Sequence, residues 1–200
     1  MHARRPDPHR GQSWKTFLKN HSVWACDFLQ LYDIWFRPIF AFFIMNVNTK
    51  EVVHWAVTRA PTEQWTAQQL REATPFGAGP QVLIRDGDKK YGPDFDRVAE
   101  GAGIEVLQIA PCTPRMNAVC ERFLGGGRRE CLDHMIILGE RHLRSVLGQY
   151  VGSYFNTARP HQGIDQRIPL ARHTGTSDSA GKIVALPVLN GLHHDYRRVA

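Results

Sequence analysis

Three carboxylates stand out by where they sit. Asp27 interrupts the apolar run VWACDFLQLY, Asp86 closes the short apolar run QVLIRD, and Glu121 lies in NAVCERFLGGGRRE, ahead of three glycines and two arginines. A carboxylate buried in such a setting is costly unless a cation or hydrogen bonds compensate it. The interval from Asp86 to Glu121 has room for a helix, a strand and a return to the same end of a sheet. Three oxygen donors meeting there would suit Mg2+ or Mn2+, which favour oxygen ligands. Two such ions would activate a water or hydroxyl on one side of a phosphodiester and stabilise the oxygen leaving on the other. The plain alternative for each acid is a locally hydrogen-bonded or solvent-facing side chain. Glu130 is on the same helix as Glu121 but about 2.5 turns along it, so the two do not face one pair of cations. Cys112, Cys120, Cys131 and His134 offer other donors, yet their irregular spacing matches no standard zinc cluster.

The elements that must position these acids can be read from pattern. Between residues 23 and 59, VWACDFLQLY, FRPIFAFFIMNV and EVVHWAVTR are rich in β-branched and aromatic residues, and the polar turn NTK separates the last two. They predict adjacent antiparallel strands. PTEQWTAQQLREAT (61–74) opens with a helix-start pattern. QVLIRD (81–86) and EVLQIA (105–110) are strands flanking the glycine-closed helix PDFDRVAEGAG. PCTPRMN is a loop leading into the helix of Glu121, and a longer helix fits 138–156 until ARPHQG interrupts it at Pro160. KIVALPVLNGLHHDYRRV predicts two short strands around Asn190 and Gly191. The order is that of a mixed α/β layer.

Composition narrows the class. Two hundred residues with 42% hydrophobic content can build one core, and the formal charge of +6 with a pI near 9.4 is compatible with an anionic partner such as DNA or RNA. Four cysteines at irregular positions do not form a secreted disulfide scaffold, so a reducing cytoplasm is expected. The start MHARRPDPHRG lacks the apolar segment of a signal peptide. The longest apolar run, IFAFFIM, is far short of the roughly 20 residues that cross a bilayer.

WACDF, RDGDKKYG, APCTPRMNAVCERF, RREC, YFNTARPHQG and GLHHDYRR together resemble the integrase catalytic core of bacterial insertion-sequence transposases, relatives of retroviral integrases. The resemblance covers roughly residues 20–170 and is carried by the set of motifs, since any one alone is weak. It implies a ribonuclease-H-like fold, with a mixed five-stranded sheet and helices packed on it. It also implies a DDE triad of Asp27, Asp86 and Glu121 holding Mg2+ (or Mn2+ in its place), with two ions in the active complex. Asp86 is preferred to Asp88 because the family has an aromatic residue five positions on, where Tyr91 stands; Asp88 is the alternative.

Asn117 resembles the asparagine of the loop before the family's glutamate, a DNA contact or a loop clamp, though an N-cap or turn role is equally available to it. Arg122, Arg128 and Arg129 are candidate phosphate contacts beside the triad, as are Lys89 and Lys90 across from it. The alternative is a solvated face in which Glu130 and Asp133 offer local pairing. The resemblance makes Arg159 and His161 organisers near the site or DNA contacts.

The expected organisation is a basic arm or linker (1–20), the core (21–170), a linker (171–180) and a tail with a β-hairpin (181–200). Full transposases of this kind carry an upstream helix-turn-helix region, for which residues 1–20 have no room. The chain is therefore expected to be a catalytic segment or a truncated copy. Each glycine inside a helix costs about 0.8–1 kcal/mol relative to alanine, so Gly125–Gly127 predict a kink or fraying beyond Glu121. The implied function is metal-dependent DNA cleavage and strand transfer in transposition, by an oligomer holding two element ends. The rivals are an inactive DNA-binding or assembly remnant and a general nuclease on the same fold. Glycoside hydrolysis by paired acids leaves the motif set unexplained.

Overall fold

The computed structural model describes residues 14–109, 114–170 and 181–199. The three apolar runs near the start form an antiparallel meander: β1 (Val23–Tyr32), β2 (Pro38–Asn46) and β3 (Val52–Thr58). β1 and β2 stay in register from Trp24 opposite Asn46 to Tyr32 opposite Pro38. The chain leaves the sheet through α2 (Glu63–Ala73), whose first turn is capped by the Thr62 hydroxyl accepting from the Trp65 amide at 3.2 Å. It returns as β4 (Val82–Arg85), parallel to β1, then crosses again through α3 (Pro93–Gly101) to β5 (Glu105–Gln108), parallel to β4. The strand order is β3-β2-β1-β4-β5, the mixed five-stranded sheet expected from the sequence.

Each central strand feeds two cores because its side chains alternate between faces. Trp24, Cys26, Phe42, Ile44 and Leu83 pack against α2 and α3. Ala25, Leu29, Phe43, Met45 and Ile84 pack beneath α4 (Pro114–Glu130) and α5 (Glu140–Gly148). Burying a side chain such as Phe43 contributes about 1.5–3 kcal/mol. The expected arm ends as helix: α1 (Trp14–Asn20) seats Phe17 in this second core. Residues 1–13 of the arm and the linker 171–180 lie outside the described residues.

Helix α4 departs from expectation. It starts at Pro114, inside the stretch read as a loop, and runs unbroken through Gly125–Gly127 to Glu130. Phe123 packs edge-on to Phe43 and Phe155, with ring centroids at 4.9 and 4.7 Å. Gly127 is buried against the Tyr150 ring. Tertiary packing thus outweighs the glycines' low propensity.

The long helix expected over 138–156 forms as α5, which widens into π-helical turns over Gln149–Phe155. Asn156 follows. Its buried side chain accepts from the Val52 amide and donates to the Val52 carbonyl, both at 2.9 Å, so it closes onto β3 as a strand would. The C-terminal hairpin forms as expected from β6 (Lys182–Val188) and β7 (His193–Val199). Its turn uses positive φ at Leu189, Asn190 and Gly191, which Asn and Gly tolerate best. No helix among the described residues is long and apolar enough to cross a membrane.

Candidate active site

Parallel pairing of β1 with β4 sets Ala25 beside Ile84. Asp27 and Asp86 each lie two residues further on, Asp27 still within β1 and Asp86 just past the end of β4. Period-two alternation keeps Asp27 on the face of Ala25 and Leu29, the face covered by α4. Glu121 is carried on α4 next to Cys120, which is buried in the same core. Burial pushes the Cys120 thiol well above its ordinary range, and the charges of Asp27 and Glu121 both push it the same way, so strand and helix acids bear on one point. Asp27 and Asp86 likewise both bear on Cys26 and Tyr91, whose acidity is suppressed first by burial.

Asp27 and Asp86 are half-buried and Glu121 is exposed. Asp27 Oδ1 accepts the Phe28 amide at 2.7 Å, and Asp86 Oδ1 accepts the Asp88 amide at 3.1 Å in an Asx turn. Among the described residues no three His, Cys, Asp or Glu side chains stand close enough to hold one ion. The fold therefore aligns the acids without drawing them together. Their chemistry still fits a hard cation, because every donor is a carboxylate oxygen and two of them stand on, or just past, the adjacent strands β1 and β4.

Asp88 has another occupation. It accepts the Lys90 amide at 3.0 Å and pairs with the Lys90 ammonium. Burial opposes its charged form, but these Lys90 contacts prevail and hold the carboxyl below its usual range. Lys90 also lies over the Phe28 ring, 5.1 Å from its centroid, whereas Lys89 is exposed. Arg85 turns to the opposite face, donates to both oxygens of Asp96 at 3.0 Å and stacks over Tyr91.

The basic residues of α4 separate. Arg122 and Arg129 are exposed, and Arg128, also exposed, donates to the Gln30 carbonyl at 2.7 Å. Asn117 lies in α4, but its side chain is outside the described residues. Glu130 is not a local partner for Arg128 or Arg129. It receives Arg159 through two bonds, 2.9 and 2.5 Å, and the Tyr150 hydroxyl at 3.2 Å.

Arg159 also approaches His161 Nδ1 at 3.3 Å, while His161 Nε2 bonds the Phe155 carbonyl at 2.9 Å. A cation on one nitrogen and a carbonyl on the other select the neutral imidazole protonated on Nε2. Burial pushes His161 below its ordinary 6.5 in agreement. The hairpin joins this cluster: His193 Nε2 bonds the Glu130 carbonyl at 2.8 Å and its ring stacks on Tyr154. Arg159 and His161 thus organise the far end of α4 and are not brought to the aspartates.

Sequence reasoning passed over two anchors. Asp33 is buried in the β1–β2 turn, accepting the Trp35 and Arg37 amides and the side chains of Arg37 and Arg59 at 2.7–3.0 Å. Burial opposes its charge, yet these donors hold the carboxyl well below the usual range. An Asp opening a turn four residues before an Arg was the available signal. Asn156 gave no signal beyond its place in YFNTARPHQG.

Residues 102–169 match a family model described as an integrase core domain. Over those residues the chain is similar to an integrase core. It is 28% identical over 167 residues to the uncharacterized 31.7 kDa protein of insertion element IS407 from Burkholderia multivorans, covering 80% of this chain and 58% of that protein. It is 27% identical over 196 residues to the uncharacterized 39.2 kDa protein of insertion element IS476 from Xanthomonas euvesicatoria, covering 96% and 55%. The chain therefore spans somewhat over half the length of these relatives. In fold, the chain is similar to a chain of the simian T-cell lymphotropic virus intasome solved with PP2A regulatory subunit B56 gamma. The TM-score is 0.58 at 12% identity, over 88% of this chain and 66% of that one. It is also similar to the catalytic core domain of BIV integrase, with TM-score 0.52 at 16% identity over 74% and 90%. These likenesses make the sheet a ribonuclease-H-like fold.

Proposed function

We propose that this integrase core is the catalytic segment of an insertion-element transposase, cutting and joining DNA phosphodiesters with Asp27, Asp86 and Glu121 as its working carboxylates. The observation that supports the proposal is the parallel pairing of β1 with β4 up to Ala25 and Ile84, each two residues before one of the aspartates, under the helix that bears Glu121. Asp86 is preferred to Asp88 because it directly follows β4, whereas Asp88 is committed to Lys90. Mg2+ or Mn2+ bound by these oxygens would lower the pKa of the attacking hydroxyl and neutralise charge on the leaving oxygen.

In cleavage, a water oxygen bonds to phosphorus as the bond to the 3′ oxygen breaks, leaving a 3′-hydroxyl after protonation. In joining, that hydroxyl attacks a target phosphodiester, with attacking and leaving oxygens roughly in line. The protein's own share is alignment. Lys89, Arg128 and Arg129, all exposed, would bind flanking phosphates, and the Glu130–Arg159 pair would hold α4 against the neighbouring segment. DNA ends and target are the proposed partners, bound by an oligomer of this chain.

The test is cleavage and strand transfer on element ends with Mg2+ or Mn2+, comparing the wild type with Asp27→Asn, Asp86→Asn, Glu121→Gln and Asp88→Asn. Loss of activity in the first three folded variants, with retention in Asp88→Asn, is expected. Turnover that survives Asp27→Asn removes the triad. A folded wild type that binds DNA but cuts nothing with either metal leaves an assembly remnant.

A further inference from the structure

A cleft of about 400 Å3 opens between α4, the β2–β3 turn and the segment after Arg159. Lys50 enters it from the turn, where its backbone is left-handed at φ 65° and its ammonium donates to the Val47 carbonyl at 2.6 Å. A side chain at Gly163 would stand 3.1 Å from Lys50 Cε, so the glycine leaves room for the lysine stem. Arg122 enters from α4 and makes no hydrogen bond or ion pair among the described residues. The cleft's third cation, Arg159, is matched by Glu130, the one carboxylate in its lining. Lys50 and Arg122 therefore face the same space with no acid between them. Burial lowers the Lys50 pKa, and the Arg122 charge lowers it further.

Two like charges brought together from separate elements, one of them half-buried, are unfavourable until an anion joins them. A guanidinium fork beside a compact ammonium suits phosphate oxygens. Consecutive helix positions are turned by about 100°. Arg122 thus lines the cleft while Glu121, one residue earlier, does not. We infer that the Lys50–Arg122 cleft seats one phosphodiester group of the DNA strand, one helix position along from Glu121. The inference rests on the reading of the chain as a DNA-cutting enzyme and adds to it a second point of attachment.

The experiment uses the full chain and measures fluorescence anisotropy with a labelled DNA duplex over about 50–200 mM salt. The wild type is compared with Lys50→Gln, Lys50→Arg and Arg122→Gln, each checked for folding by circular dichroism. Removing one phosphate contact should flatten the slope of log affinity against log salt by about 0.9. Both glutamine variants are expected to show this with about tenfold weaker binding, and Lys50→Arg is expected to retain most of the affinity. If Lys50→Gln fails to fold, Arg122→Gln, altered at an exposed position, carries the measurement.

Inorganic phosphate should compete with DNA for the wild type more strongly than for either glutamine variant. Unchanged slope and affinity in the folded variants overturns the inference, and so does phosphate binding that depends on Lys50 while DNA binding does not. Cleavage by the same preparations separates the two readings: Asp27-dependent cutting with unaltered salt slopes sinks only the cleft, whereas a wild type that neither binds nor cuts DNA sinks the proposed function with it.

Discussion

Replacing Gly125 and Gly126 together with alanine is expected to stabilise the protein. Both residues lie inside the continuous helix α4, and neither needs a positive φ. A Cβ at Gly126 would stand 3.7 Å from Glu130 Oε1, an ordinary contact. One at Gly125 would stand 3.2 Å from Arg129 Nη1, the movable end of an exposed side chain. Gly127 is left alone because it is buried against Tyr150. Each replacement relieves about 0.8–1 kcal/mol of helix-interior cost, so the pair should add about 1.6–2 kcal/mol. For a chain of this size that raises Tm by roughly 3–8 °C. Thermal and urea unfolding followed by circular dichroism read the effect, with an unchanged urea slope showing that the same surface is exposed on unfolding. A midpoint that stays put or falls would refute the reasoning, since it would mean that these glycines serve a bent or close-packed α4.

Asn156→Ala strips the Val52 amide and carbonyl of their partners and should cost about 2–3 kcal/mol, read as a lower urea midpoint; a loss under about 0.5 kcal/mol would show that other groups satisfy Val52. His161 is depressed below 6.5 in the folded chain, so at falling pH the unfolded chain takes up this proton first. Stability should be fully present above pH 6.5 and decline as pH falls from there toward the folded value, by at most about 1.4 kcal/mol per pH unit. His161→Gln should flatten that slope in urea titrations, and an identical slope counts against the assignment. Cys26, Cys120 and Cys131 are buried, with their thiols pushed up chiefly by burial, to about 12 for Cys131. Alkylation at mildly alkaline pH, read by mass spectrometry, should spare all three until the chain unfolds; labelling of Cys120 in folded protein would show a looser α4.

The strands were legible because β1, β2 and β3 carry dense aromatic and branched residues with clear turn residues between them. Asp27 was legible for the complementary reason, as a charge inside such a run. What local pattern could not show was pairing at a distance. Glu130 looked like a partner for the arginines beside it, but Arg159 reaches it from beyond α5. Propensity misjudged α4 because Phe123 and Gly127 hold it by contacts with Phe43, Phe155 and Tyr150, none of them near in sequence. Lys50 looked like an ordinary turn residue until the turn was set against Arg122 and Gly163.

The Asn156 amide has a consequence for how copies of this chain can meet. β3 is an outer strand of the sheet, and outer strands tend to recruit strands from other molecules because their backbone groups are unpaired. At Val52 both groups are already taken by a side chain of the same molecule. A second copy cannot lengthen the sheet through that rung without first displacing Asn156. Growth of the sheet by a further strand is thereby disfavoured at the β3 edge and directed to the opposite edge, β5.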